Sequence, residues 1–225
     1  VNIKDIDIDI LLPTSKKLDR LDNLLCQIYA CLNSGLKTRV TIGMTGDYRE
    51  LYARLTKDQI DKIRFIKDCP EGGEVGHPAL KYMLENFDYS DWITFVNDDD
   101  CTPSWALKHL WDKREGVSMV LGQAIGVSRE RHFNLSAWKL GPMPDISINH
   151  ICAGNGIYNM RSLEKLPKPW WNLIRTGDYD FVKRMEKHFP YKIIPSVVLM
   201  LSFAELSNLG VEFNFNFNKA YGKIL

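Results

Sequence analysis

A chain of 225 residues with 45% hydrophobic and 11% aromatic side chains can bury a substantial core, which excludes compositional disorder. Its formal net charge of +1 provides no overall field to draw it to nucleic acid or acidic lipid. The length suits one large domain, and with no linker-like stretch in the composition, residues 1–225 read as a single unit.

Residues 5–12 alternate and then turn fully apolar before Pro13-Thr14-Ser15, a strand running into a loop. Leucines and isoleucine at helical spacing predict a helix over 18–32, stopped at Asn33-Ser34-Gly35. A second strand is predicted over 39–44, helices over 48–55 and 57–63, a short strand over 64–67 and a loop at Pro70-Glu71-Gly72-Gly73. An amphipathic helix over 79–87 then leads into an apolar strand over 92–96. This β-α-β-α-β alternation predicts a parallel sheet flanked by helices, with ligands beyond the carboxyl ends of its strands. The second half reads as a helix over Ser104–Trp111, one or two strands over 117–127, and a polar, aromatic loop over 129–150. A short strand at 157–160, a helix over 178–188 and a strong β run over 192–203 complete it.

The strand over 92–96 ends in Asn97-Asp98-Asp99-Asp100. Adjacent carboxylates repel one another unless a cation or a solvated loop absorbs the charge, and oxygen ligands suit a hard divalent ion able to hold a phosphate. The competing reading is an acidic turn that starts the next helix at Pro103-Ser104. Cys26, Cys31, Cys69, Cys101 and Cys152 lack paired spacing, which predicts reduced thiols in the cytoplasm, not a disulfide framework or zinc site. No apolar run approaches the roughly 18 residues of a bilayer span, and no secretory h-region opens the chain. The chain starts at Val1 without methionine, as a domain cut from a longer enzyme would.

Three segments together resemble the GT-A fold glycosyltransferases, most closely glycosyltransferase family 2. Ile8-Asp9-Ile10-Leu11-Leu12-Pro13-Thr14 resembles the first strand, which ends at the nucleotide pocket. Ile93-Thr94-Phe95-Val96-Asn97-Asp98-Asp99-Asp100 resembles the strand that ends in the metal-binding Asp-x-Asp motif. Thr176-Gly177-Asp178-Tyr179-Asp180-Phe181 is similar to the helix start whose carboxylate is the catalytic base of inverting members. The resemblance implies an α/β, GT-A-like (Rossmann-like), mostly parallel central sheet flanked by helices. Its nucleotide-binding half is expected over about 1–101 and its acceptor-binding, catalytic half over about 102–225. Position 177 is glycine where the family usually carries glutamate, the Gln-x-x-Arg-Trp signature of processive synthases is absent, and the late metal-shell histidine has no counterpart near Ser202-Phe203.

The implied activity is metal-dependent, non-processive and inverting transfer of one sugar from a nucleotide-diphosphate donor, UDP-linked by preference, to a glycan or other hydroxyl acceptor. Asp98 and Asp100 are expected to hold Mn2+ or Mg2+ with the donor diphosphate, though the register of the triplet leaves Asp99 a rival. Asp178 is expected as general base, with helix capping by Thr176 or Asp178 as the competing role and Asp180 as an alternative. Pro13, Thr14 and Asp47 are expected at the nucleotide, and Lys81 or His77 at its phosphate or ribose. Gly154 and Asn155, within Ala153-Gly154-Asn155-Gly156, are expected along the donor sugar. Two adjacent tryptophans on a strand cannot both enter one core, so Trp170-Trp171 are expected to offer a stacking face to the acceptor. His132 and His150 are loop histidines of weaker promise. A nucleotidyltransferase would show a glycine-rich loop after the first strand, and Pro13-Thr14-Ser15-Lys16-Lys17 has no glycine; a catalytically silent sugar-binding module is the other rival.

Overall fold

The run Ile8–Pro13 forms strand β1, and all of its residues are buried. A strand covered on both faces belongs at the centre of a parallel sheet. The computed structural model describes residues 2–14, 21–44, 48–70, 76–98, 100–126, 138–139, 153–173 and 177–201. After β1 come α1 (Leu21–Leu32), β2 (Thr38–Gly43), α2 (Arg49–Arg54), α3 (Lys57–Ile60), β3 (Ile63–Ile66), α4 (His77–Asn86) and β4 (Trp92–Phe95). The second half holds α5 (Ser104–Trp111), β5 (Met119–Gly126), β6 (Trp138–Lys139), a 3-10 turn (Ala153–Asn155), β7 (Gly156–Asn159), α6 (Met160–Leu163), α7 (Gly177–His188) and β8 (Tyr191–Leu201).

One eight-stranded sheet joins both halves in the order β3-β2-β1-β4-β7-β5-β6, with β8 on the other side of β5. The β3-β2-β1-β4 portion is wholly parallel. Strand β7 then enters antiparallel to both β4 and β5, while β8 runs parallel to β5. The α/β architecture with a mostly parallel sheet is therefore as expected. Three details differ. The helix predicted over 57–63 is a single turn, because Ile63 pairs with Val40 in the sheet; a Thr56–Gln59 capping box starts that turn. The predicted loop over 129–150 contributes Trp138–Lys139 as β6, paired to Gly126 and Ile125. Met160, expected in a strand, opens α6 because the Asn159 side chain caps that helix through Ser162 N.

Helices cover both faces. Ile10 and Leu12 of β1 pack with Leu24, Leu25 and Ile28 of α1 on one side. Leu11, Ile93 and Phe95 point the other way, to Met83 of α4 and Phe181 and Met185 of α7. This is the period-2 alternation of a strand between two layers. Among the described residues Cys26, Cys31, Cys69 and Cys101 form no disulfide, and no helix is long and apolar enough to cross a membrane. Burial pushes the Cys31 thiol up to about 12, which keeps it protonated as an apolar core residue.

Asp9 places a carboxylate in the apolar centre. It is fully buried and takes a two-point ion pair from Arg39, at 2.6 Å and 3.0 Å, and a 2.6 Å hydrogen bond from Ser90 N. Together these satisfy both carboxylate oxygens. Replacing Arg39 with Met strands a buried anion, so the variant is expected to lose about 3–5 kcal/mol of unfolding free energy in urea titration. A loss below 1 kcal/mol would mean that Ser90 N alone compensates the charge.

Candidate active site

The carboxyl ends of β1 and β4 lie side by side. Val96 N donates to Leu11 O at 3.0 Å, carrying the ladder past β4, and Thr14 N donates to Gly43 O at 3.0 Å. The acidic loop begins where these bonds stop. The Thr14 hydroxyl donates to Asp98 Oδ2 at 2.6 Å, and Asn97 Nδ2 donates to Asp100 Oδ2 at 2.9 Å. Asp98 and Asp100 are both buried. Asp99 and Asp47 lie outside the described residues, as do His132, His150, Thr176 and Ser202-Phe203.

The backbone of this loop is held from beneath by α1. Asn23 Nδ2 donates to Asp98 O at 2.6 Å and to Asp100 O at 2.9 Å. Gln27 Nε2 donates to Asp100 O, and its Oε1 accepts from Thr102 N at 3.1 Å. Both amides are buried. They satisfy the carbonyls of a tight turn that no strand partner can reach, which fixes the loop without spending its carboxylates. The sequence reading passed over these two residues. Their signal was two amides spaced i, i+4 on the buried side of an apolar helix.

Asp178, the second residue of α7, does not cap its own helix with the bonds described. Its Oδ2 accepts from Ala153 N at 3.2 Å, and its Oδ1 lies 3.5 Å from His77 Nε2. The Asp178 side chain is 28% exposed. Asp180 instead accepts from Asn172 Nδ2 at 3.2 Å.

A continuous set of contacts links Asp178 to the acidic loop. His77 opens α4 directly after Gly76, whose φ of +71° turns the chain over the end of β1. A Cβ on Gly76 would come within 3.2 Å of Pro13 Cβ. Pro13 precedes Thr14, which holds Asp98. Beneath this line, Phe95 of β4 packs on Trp171 and Phe181 with ring centroids 5.0 Å and 5.2 Å away. The start of α7 and the end of β4 therefore occupy one edge of the sheet.

Several expected contacts have other partners. Trp171 is wholly buried and Trp170 is 9% exposed, so neither is the exposed stacking face anticipated. The segment carrying them is neither strand nor helix, and the alternation argument does not apply there. Trp170 Nε1 donates to Leu166 O, and its backbone N donates to Glu85 at 2.8 Å. Lys81 pairs with that same Glu85 at 3.4 Å, which ties it to the tryptophan segment. Asn155 is fully buried and donates to Gly122 O at 2.8 Å, while Gly154 is buried beside it. This pair supports the turn that presents Ala153 N to Asp178. Gly156 is required by packing, since a Cβ there would sit 2.9 Å from Val120 O.

Asp98 and Asp100 supply oxygen donors alone, and the described residues hold no cluster of three or more His, Cys, Asp or Glu. Mg2+ and Mn2+ fit such a set, because they are held by one or two carboxylates with substrate phosphates and waters completing the shell. At the neighbouring Cys101, burial, then the nearby Cys26 and Asp100, push the thiol up to about 11.

No family model matches the sequence, nor does any curated protein. Solved structures do share the fold, which is that of GT-A-type glycosyltransferases. TarS of S. aureus superposes with a TM-score of 0.59 at 11% identity over 87% of this chain, and a shorter form of TarS was solved with UDP-GlcNAc. A mannosyltransferase from Pyrobaculum calidifontis, solved with GDP-Man and Mn2+, gives 0.55 at 15% identity over 88% of this chain. The glucosyl-3-phosphoglycerate synthase of Mycobacterium tuberculosis, solved with Mn2+, UDP and phosphoglyceric acid, gives 0.55 at 16% over 91%. This chain spans only 36%, 57% and 74% of those three chains.

Replacing Gln27 with Leu leaves Thr102 N without its acceptor and removes one donor from Asp100 O. A loss of about 1–3 kcal/mol in urea unfolding is expected. An unchanged midpoint would mean that water takes over both bonds.

Proposed function

We propose that this chain is a non-processive glycosyltransferase. It moves one sugar from a nucleotide-diphosphate donor, UDP-linked by preference, to a hydroxyl of a glycan or other acceptor, with inversion. The observation that supports this reading is the run of neighbours from Asp178 through His77, Gly76, Pro13 and Thr14 to Asp98, which connects a part-exposed carboxylate with a buried acidic pair. The shared fold supports it, as do the nucleotide sugars and Mn2+ with which the similar structures were solved.

In this reading Asp98 and Asp100, with Asp99 as the third member of the loop, hold Mn2+ or Mg2+ with the donor diphosphate. The metal supplies Lewis-acid neutralisation of charge on the leaving group. Thr14 and Asn97 fix the carboxylates, and the α1 amides fix the backbone that carries them. Pro13 and Thr14 border the nucleotide, with Asp47 at its base or ribose. Asp178 takes the proton of the acceptor hydroxyl as that oxygen bonds to the anomeric carbon, and the departing diphosphate keeps the electron pair of the broken bond. Residues of about 1–101 form the nucleotide-binding half of one domain and the remainder the acceptor half. A cytoplasmic setting belongs to the same reading and is supported by the described cysteines forming no disulfide.

Calorimetry with UDP, with and without Mn2+, tests the acidic loop: binding is expected to tighten at least ~10-fold with metal, a difference of about 1.4 kcal/mol. Equal affinity would remove the metal from the reading. Asp178→Asn is expected to lower transfer roughly 10²–10⁴-fold while sparing donor binding. Turnover retained in that variant would put the base elsewhere. A wild-type chain that binds the donor but neither transfers nor hydrolyses its sugar would be a silent binding module.

A further inference from the structure

His77 is buried at the first position of α4 with its side chain 7% exposed, and the charged group it faces is Asp178. Imidazoles that deep in a protein are held by partners, and this one is held on two sides. Its ring meets Trp171 edge to face, with centroids 5.6 Å apart and planes at 74°. Its Nε2 lies 3.5 Å from Asp178 Oδ1, within ion-pair range, while Ala153 N donates to Oδ2 at 3.2 Å. Each carboxylate oxygen thus has its own neighbour from a different element, a backbone N–H bonded to one and an imidazole nitrogen at ion-pair distance from the other. Two such contacts define the plane of a carboxylate that one contact would leave free to rotate about χ2.

Gly177 makes the approach possible. A Cβ at that position would lie 3.1 Å from His77 Cε1, 3.0 Å from Trp171 Nε1 and 2.6 Å from Asn172 O. Any side chain at 177 would have to displace the imidazole, the indole or the backbone beneath them. The space beside Asp178 on its N-terminal side is therefore occupied by His77 and Trp171, reached from α4 and from the segment before α7.

We propose that His77 is a positioning residue for Asp178: its Nε2, at ion-pair distance from Oδ1, restrains the carboxylate to one orientation toward the acceptor hydroxyl, and Gly177 is the residue that admits it. The inference rests on Asp178 being the base of the transfer reaction. It assigns the imidazole proton to Nε2 and gives His77 no contact with the donor.

Two substitutions separate this role from packing against Trp171. His77→Gln keeps an N–H donor near the place of Nε2 but gives up the ring; His77→Leu keeps apolar bulk and gives up the donor. The Gln variant is expected to retain kcat within several-fold. The Leu variant is expected to lose roughly 10²-fold in kcat, the scale of a misplaced catalytic group, with donor KM and melting temperature close to wild type. The reverse order, Leu active and Gln inactive, would overturn the proposal, as would loss of donor binding in both. Nitrogen-15 NMR of labelled histidine reads the pair without turnover: the His77 Nε2 resonance is expected to shift in Asp178→Asn, and an unmoved resonance would also overturn it. Absence of transfer by the wild-type chain would defeat the transferase reading alone, since the nitrogen shift still reports whether the pair exists.

Discussion

Phe95 is buried among the rings of Tyr158, Trp171 and Phe181, with centroids 5.6 Å, 5.0 Å and 5.2 Å away. It is the last residue of β4, three positions before Asp98, and Phe181 lies one helical turn after Asp178. Burying these rings against one another aligns the start of α7 with the end of β4, and through them aligns the two acidic positions. Aromatic pairs at such separations contribute about 0.5–1.5 kcal/mol each beyond their buried area. The larger consequence is geometric, because a close-packed aromatic core leaves little room for one element to slide on another. The relation between Asp178 and the acidic loop is thus a packing result, carried by residues that never touch a ligand in the proposed reaction.

The buried carboxylates meet their charge in different ways. Asp9, deep in β1, has the guanidinium of Arg39 and a backbone N–H, which completes its neutralisation within the fold. The hydrogen bonds described for Asp98 and Asp100 come from the Thr14 hydroxyl and the Asn97 amide, which orient each carboxylate. Asp178 differs again. It is part-exposed, with Ala153 N bonded to one oxygen and the His77 imidazole 3.5 Å from the other.

Much of this was legible in the chain itself. The first-half alternation of strands and helices follows from local apolar spacing, and an acidic run closing a buried strand marks the binding edge of a parallel sheet. What the sequence could not display were partners distant along the chain. His77 and Asp178 are about a hundred positions apart, and nothing local distinguishes a buried imidazole from a loop histidine. Asn23 and Gln27 carried a local sign, amides on a buried helix face, yet the carbonyls they serve belong to the acidic loop across the sheet. Trp170 and Trp171 lie in a segment that is not a strand, so the alternation that would turn one of them outward does not operate there. Lys81 misled because a lysine near a suspected phosphate site looks available until Glu85, one turn on, is seen to take it.

Gly177 shows how such long-range partners can leave a local trace. Within a helix interior glycine costs about 0.8–1 kcal/mol relative to alanine, and at the start of α7 local preference gives no positive reason for one. Its value appears only in three dimensions, where a carbonyl, an indole and an imidazole already fill the space a side chain would need. The same residue that departs from the pattern of the resembled family is the one whose missing side chain leaves room for the imidazole beside Asp178. A position that breaks a local rule is therefore better read as the imprint of a neighbour that the sequence places far away than as a defect of the site.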